Sequence, residues 1–207
     1  MNLLEATRRG GQQEYILQGS IIDSFCEILL HRLRGLCDNG DSAPETFFDH
    51  EYVYSIRQPN GQPMTLRVRQ SREKKDYPWH LRYLGQPEIG DKNRATLVRS
   101  CIDVACSSNI CIFLNEMGFK MDYEYICKGF MFKKGRMKVT VSKIFRLRHP
   151  GNVDDLEHVS QSYLVEVSVV APTGQDALAE EIKLFAEQLK PLVQLEKVDP
   201  RRLAGLN

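Results

Sequence analysis

The feature that most constrains this chain is a succession of short runs in which apolar and polar residues alternate, joined mostly by brief connections. Alternation with period two puts every second side chain on one face of a strand. In the first run Tyr15, Leu17, Gly19 and Ile21 alternate with Glu14, Gln18 and Ser20. Tyr52, Tyr54 and Ile56 mark a second, and Met64, Leu66 and Val68 a third. Between them Pro59-Asn60-Gly61 supplies the positive φ angles of a tight turn. Trp79, Leu81 and Tyr83 share one face of a fourth run, with His80 and Arg82 on the other. A fifth covers about 96–105, a sixth about 119–132 and a seventh about 136–147, turned at Lys133-Lys134-Gly135. An eighth covers about 162–171, where Tyr163, Val165, Val167 and Val169 alternate with Glu166 and Ser168. Hairpin-length connections favour antiparallel pairing. Eight antiparallel strands in one domain close into a barrel, which removes exposed sheet edges.

Three helices complete the pattern. Ser24 and Glu27 have capping-box spacing, and Phe25, Ile28, Leu29, Leu33 and Leu36 form the stripe that follows. Ser107 or Ser108 caps a second helix with Ile110, Phe113, Leu114 and Met117 on one face, ended by Gly118 in a left-handed cap. Thr173, with Asp176 three residues on, caps a third whose stripe is Leu178, Ile182, Phe185 and Leu189 and whose stop is Pro191. The segments around 71–76, 85–93 and 149–158 read as loops. Residues 1–13 are polar, carry Gly10-Gly11 and read as a disordered lead-in. Residues 14–207 then form one α+β domain, a single eight-stranded, mainly antiparallel β-barrel with three flanking helices. A chain of 207 residues buries enough surface to fold without metal or disulfide.

Charge narrows the function. Lys and Arg total 28 against 27 Asp and Glu, a balance that disfavours a phosphate backbone as the main partner. Arg72-Glu73-Lys74-Lys75 and Lys133-Lys134 lie at turns and read as solvated charge. No apolar run reaches the roughly 18–20 residues of a membrane helix, and the N-terminal stretch lacks a signal-peptide core. The six cysteines, Cys26, Cys37, Cys101, Cys106, Cys111 and Cys127, read as reduced core thiols. Their spacing contains no CxxC, which disfavours zinc. There is no GxSxG, HExxH or Walker A sequence, and the five histidines are scattered through different elements. No catalytic, cofactor-binding or metal-ligating residue is assigned.

One constellation does suggest chemistry. Arg67, Arg69 and Arg82 on barrel strands, with Glu14 and Glu166 on two others, resemble the triphosphate tunnel enzymes. That resemblance implies glutamate pairs holding a divalent metal and a basic wall gripping a polyphosphate. Here the first-strand Glu-x-Glu-x-Lys reads Glu14-Tyr15-Ile16-Leu17-Gln18, and the late Glu-x-Glu reads Glu166-Val167-Ser168. Two isolated carboxylates hold Mg²⁺ poorly, which disfavours catalysis. A polyphosphatase, or a vestigial barrel that binds polyanion or RNA, is the alternative reading.

A second resemblance covers about 15–203. The segment Leu30-His31-Arg32-Leu33-Arg34-Gly35-Leu36-Cys37-Asp38-Asn39 resembles the animal Mediator subunit 18 family. So do Pro78-Trp79-His80-Leu81-Arg82-Tyr83-Leu84-Gly85-Gln86-Pro87-Glu88 and Gly90-Asp91-Lys92-Asn93-Arg94. The stretches 162–172 and 185–193 are similar to it too. This resemblance implies a non-catalytic coactivator subunit of the head module, in the nucleus, linking gene-specific regulators to RNA polymerase II. It implies a second barrel partner, subunit 20, and a clasped C-terminal helix of subunit 8. It implies no cofactor, no membrane and no sequence-specific DNA contact by the chain itself. Trp79, Tyr83, Phe130 and Phe132 are the candidate partner contacts, because large aromatics anchor interfaces.

Overall fold

The chain is described by a computed structural model over residues 11–38, 42–57, 61, 63–88 and 94–198. In chain order the elements are β1 (Gln12–Ile22), a 3-10 turn (Asp23–Phe25), α1 (Cys26–Leu36), β2 (Glu45–Ile56) and β3 (Met64–Ser71). Then come β4 (Trp79–Pro87), β5 (Leu97–Cys106), α2 (Ile110–Glu116), β6 (Lys120–Lys134) and β7 (Met137–Leu147). The last are β8 (Leu156–His158), β9 (Ser162–Pro172) and α3 (Ala177–Glu187). Around the sheet the order is β6-β2-β3-β4-β5-β1-β9-β7, and β7 pairs back onto β6, so eight antiparallel strands close a barrel. Each of the eight expected strands is present. β8 is an addition inside the expected loop 149–158 and hangs on the outer edge of β7. Of the expected lead-in 1–13, residues 1–10 lie outside the described residues, as does the Pro59-Asn60 corner, but Gln12 and Gln13 already belong to β1, paired to both β5 and β9.

The apolar faces point outward. Tyr15, Leu17, Val139, Val141, Val165 and Val167 meet Leu29, Leu33, Leu178, Ile182 and Phe185 in one buried cluster between the barrel wall and α1 and α3. A smaller cluster under α2 joins Tyr54, Leu66 and Val68 to Ile110 and Leu114. The opposite parity on each strand, including Glu14, Arg67, Arg82, Thr140, Glu166 and Ser168, lines the lumen. Core and lumen thus lie on opposite sides of one wall. Each fully buried aliphatic side chain contributes about 1.5–3 kcal/mol relative to exposure, and this gain accumulates outside the barrel.

Several local expectations are corrected. Ser24 falls in the 3-10 turn, and the residue before α1 is Phe25, with no side-chain cap. The buried stripe of α1 is Cys26, Leu29, Leu30 and Leu33, while Phe25 and Ile28 are exposed. Asn109 precedes α2, and the Ser107 hydroxyl donates to the Asn109 side-chain oxygen, while no side chain accepts from the first helix N–H groups. Phe113 and Met117 are exposed, so α2 buries only Ile110 and Leu114. The Thr173 hydroxyl donates to the Gly11 carbonyl at 3.0 Å, which ties β9 to the start of β1. Gly118 does adopt the left-handed conformation, with φ +89°. Leu178, Ile182, Phe185 and Leu189 are buried as expected, but α3 ends at Glu187, so Leu189 sits in the turn beyond it and Pro191 is not the residue that stops the helix.

Candidate functional site

The lumen has a volume of about 730 Å³ and is lined by seven Lys/Arg and six Asp/Glu side chains. Glu14, on β1, is 2% exposed and central to it. Its carboxylate accepts from Arg99 at 2.7 Å and from Arg82 at 3.3 Å, reaching across β5 to β4. Glu166, on β9, accepts from Gln18 Nε2 at 2.6 Å and from the Thr140 hydroxyl at 3.5 Å. Asp49 and Glu51 on β2 also line the lumen, and the Asp49 carboxylate lies 3.9 Å from Arg69 Nε. Burial pushes both carboxyls upward, against the nearby guanidinium charge of Arg69. Burial, reinforced by Arg69 and Arg82, pushes the Lys138 ammonium downward. The lumen is therefore nearly balanced in charge, with Asp49 and Glu51 among the carboxylates it holds beyond Glu14 and Glu166.

The same geometry tests the metal that the tunnel-enzyme resemblance implies. Ile16 and Ser168 occupy the lumen positions where second glutamates would stand, and Gln18 occupies that of the lysine. Glu14 is committed to two arginines. Among the described residues no three His, Cys, Asp or Glu side chains gather as a metal would require. These residues do not fit a divalent-metal site built from glutamate pairs.

The four expected contact aromatics do not share a surface. Trp79 and Tyr83 are half-buried against the cluster under α2, where the Trp79 ring stacks on Tyr52 at 5.9 Å. Phe130 is half-buried against the main core. Phe132 is fully buried in that core, so it presents no face to a partner. Its strand parity, opposite to that of lumen-lining Met131, turns it like Phe130 to the outer face, and there the main cluster covers it completely.

A second concavity lies among residues that no sequence motif singles out. It is a groove of about 660 Å³ lined by Met121 to Tyr125 on β6, Ile144 to Leu147 on β7, and Pro150 and Val159 beside them. Met121 and Tyr123 are exposed. Glu124 anchors its rim. One carboxylate oxygen lies 2.7 Å from His50 Nε2, and the other accepts from the Gly151 N–H at 2.7 Å. The Tyr52 hydroxyl lies 3.1 Å from His50 Nδ1, an arrangement that the Nε2–H tautomer satisfies. Burial lowers the His50 pKa, with Glu124 opposing. The alternation Met121-Asp122-Tyr123-Glu124-Tyr125 is visible in the sequence, but the splay of the two strands is not.

Comparison with known proteins places this geometry. The family model for Med18 protein matches residues 13–204. Mediator of RNA polymerase II transcription subunit 18 from Aedes aegypti is 60% identical over 196 residues, covering 94% of this chain and 88% of that protein. The Danio rerio protein of that name is 60% identical over 190 residues, covering 92% and 90%. In structure, a chain of the Schizosaccharomyces pombe Mediator head module superposes with a TM-score of 0.71 at 18% identity, covering 90% of this chain and 98% of that one. The PH1819 protein of Pyrococcus horikoshii shares the fold with a TM-score of 0.58 at 15% identity, covering 92% and 97%. With the family model and relatives at this identity spanning nearly its whole length, the chain belongs to the Mediator subunit 18 family.

Proposed function

We propose that this chain works in the nucleus as a non-catalytic subunit of the Mediator head module, helping to link gene-specific regulators to RNA polymerase II. Family membership over residues 13–204 carries the reading. The lumen supports it, because its best-placed carboxylate is spent on Arg82 and Arg99 and its neighbouring position is Ile16. Removing groups that stabilise charge in a transition state is costly to catalysis. Within the head module the chain pairs with subunit 20 and clasps the C-terminal helix of subunit 8. Trp79, Tyr83 and Phe130 remain the aromatic contacts proposed from the sequence, to the extent of their half-exposed faces.

Affinity purification of the tagged full chain from nuclei tests this. Mediator subunits, with 20 and 8 among them, are the expected companions. A folded, nuclear chain that brings down none of them refutes it. The same preparation, incubated with nucleoside triphosphate and Mg²⁺ or Mn²⁺, is expected to release no phosphate. Release abolished by Glu14→Ala or Glu166→Ala would replace the non-catalytic reading with hydrolysis.

A further inference from the structure

β6 runs for 15 residues, yet its two ladders differ in length. On one edge, β2 pairs with it from Lys120 to Met131. On the other, β7 pairs only from Ile126 to Lys134, the last pair being Ile126 with Phe145. Continued register would set Tyr125 opposite Arg146 and Glu124 opposite Leu147, but the strands diverge there. The far half of β7 takes β8 along its opposite edge, with Phe145 paired to His158 and Leu147 to Leu156. The second edge of Lys120–Tyr125 thus has no strand beside it among the described residues.

The lining of the groove says where this gap lies. A depression on one face of a sheet touches alternate residues only. Here consecutive residues of both parities line it, Met121 through Tyr125 on one side and Ile144 through Leu147 on the other. On its β6 side the groove therefore follows the strand edge, and on its other side it passes over the end of β7 to Val159, whose N–H donates to the Ile144 carbonyl on the far edge. An edge offers a row of unpaired backbone N–H and C=O groups. The occupant that satisfies them carries matching backbone groups, which a helix spends within itself. The flanking side chains Met121, Tyr123, Phe145, Leu147 and Val159 set its other chemistry.

We propose that the seam between β6 and β7 receives an extended segment of another Mediator subunit, apolar or aromatic at alternate positions, which pairs as a strand with residues 120–125. This rests on the Mediator reading above. It assigns the contact to strand addition, in which backbone pairing supplies affinity and side-chain pockets supply specificity. The Glu124–Gly151 hydrogen bond holds the loop bearing Pro150 at the mouth of the seam.

Amide hydrogen exchange on the full chain, free and in complex with co-expressed head-module subunits, tests the proposal. Alternate amides between Met121 and Tyr125 are expected to slow on the order of 100-fold in the complex. Tyr123→Asp, at an exposed site, is expected to weaken the complex about tenfold or more while exchange within β9 stays unchanged. A complex that forms with unchanged exchange at 121–125 overturns strand addition and leaves the Mediator reading standing. Tyr123→Asp weakening a complex whose β6 amides are unaltered assigns the seam to a helix and also overturns it. Failure of the wild-type chain to join any head-module subunit defeats the Mediator reading itself, and the seam proposal with it.

Discussion

Glu14 sits between two guanidinium groups with almost no solvent contact, and the balance of the lumen turns on it. Removing one member of a buried ion pair costs far more than the pair contributes, because the remaining charge stays buried. Glu14→Gln is expected to destabilise the chain by about 3 kcal/mol, read as a lower urea midpoint. His50 supplies a pH signature. Its pKa is held below the ordinary 6.5 in the folded chain, so between the two values the unfolded chain binds more protons. Stability is then fully present above about pH 6.5 and falls as pH drops through the folded value. Urea midpoints across pH 7.5 to 5.5, taken as the roughly imidazole range, are expected to decline in the wild type and to flatten in His50→Gln. Neither residue was marked this way by its sequence context. Strand parity is local, so it sets Glu14 on the face opposite Tyr15 and Leu17 without saying which face looks inward, whereas its partners lie 68 and 85 residues away. Phe132 failed as a contact for a related reason: an aromatic on a strand looks the same whether a helix covers it or not.

Strands were the most legible elements, since a period of two survives whatever packs against it. Helix starts were the least legible. All three helices lack a side-chain cap bond, so serine and threonine spacing pointed to caps that the backbone does not use. The seven-residue α2 buries two side chains, and its amphipathic pattern overstated the covered face. β8 escaped notice because three residues carry no period. The β6–β7 hairpin depends on one small residue. A Cβ at Gly129 would stand 2.2 Å from the Val141 carbonyl oxygen and 2.7 Å from Ser142 Cα, both backbone atoms that cannot swing aside. Gly129→Ala is expected to cost about 1–3 kcal/mol, as overpacking does. For a chain of this size that lowers Tm by roughly 2–4 °C per kcal/mol, measurable by thermal denaturation.

At the scale of the molecule, closure of the barrel followed from counting strands, but which face looked inward did not. Both faces of each strand carry a consistent parity, and only the placement of α1 and α3 decides between them. The resulting asymmetry is testable. Ile182→Ala, in the cluster outside the wall, is expected to cost about 2–5 kcal/mol. Lys138→Met, which removes a solvent-accessible cation from a lumen wall that also carries Arg69 and Arg82, is expected to change stability by less than about 0.5 kcal/mol, as surface substitutions do. Paired melting curves of the two variants check the contrast. A wall that keeps its cohesion on the outside separates two kinds of evolutionary pressure. Substitutions behind the helices are held in check by folding, while those facing the bore answer chiefly to whatever occupies it. Such a barrel can lose or acquire a reaction by drift in its bore while its outer shell, and the partners that recognise that shell, stay the same.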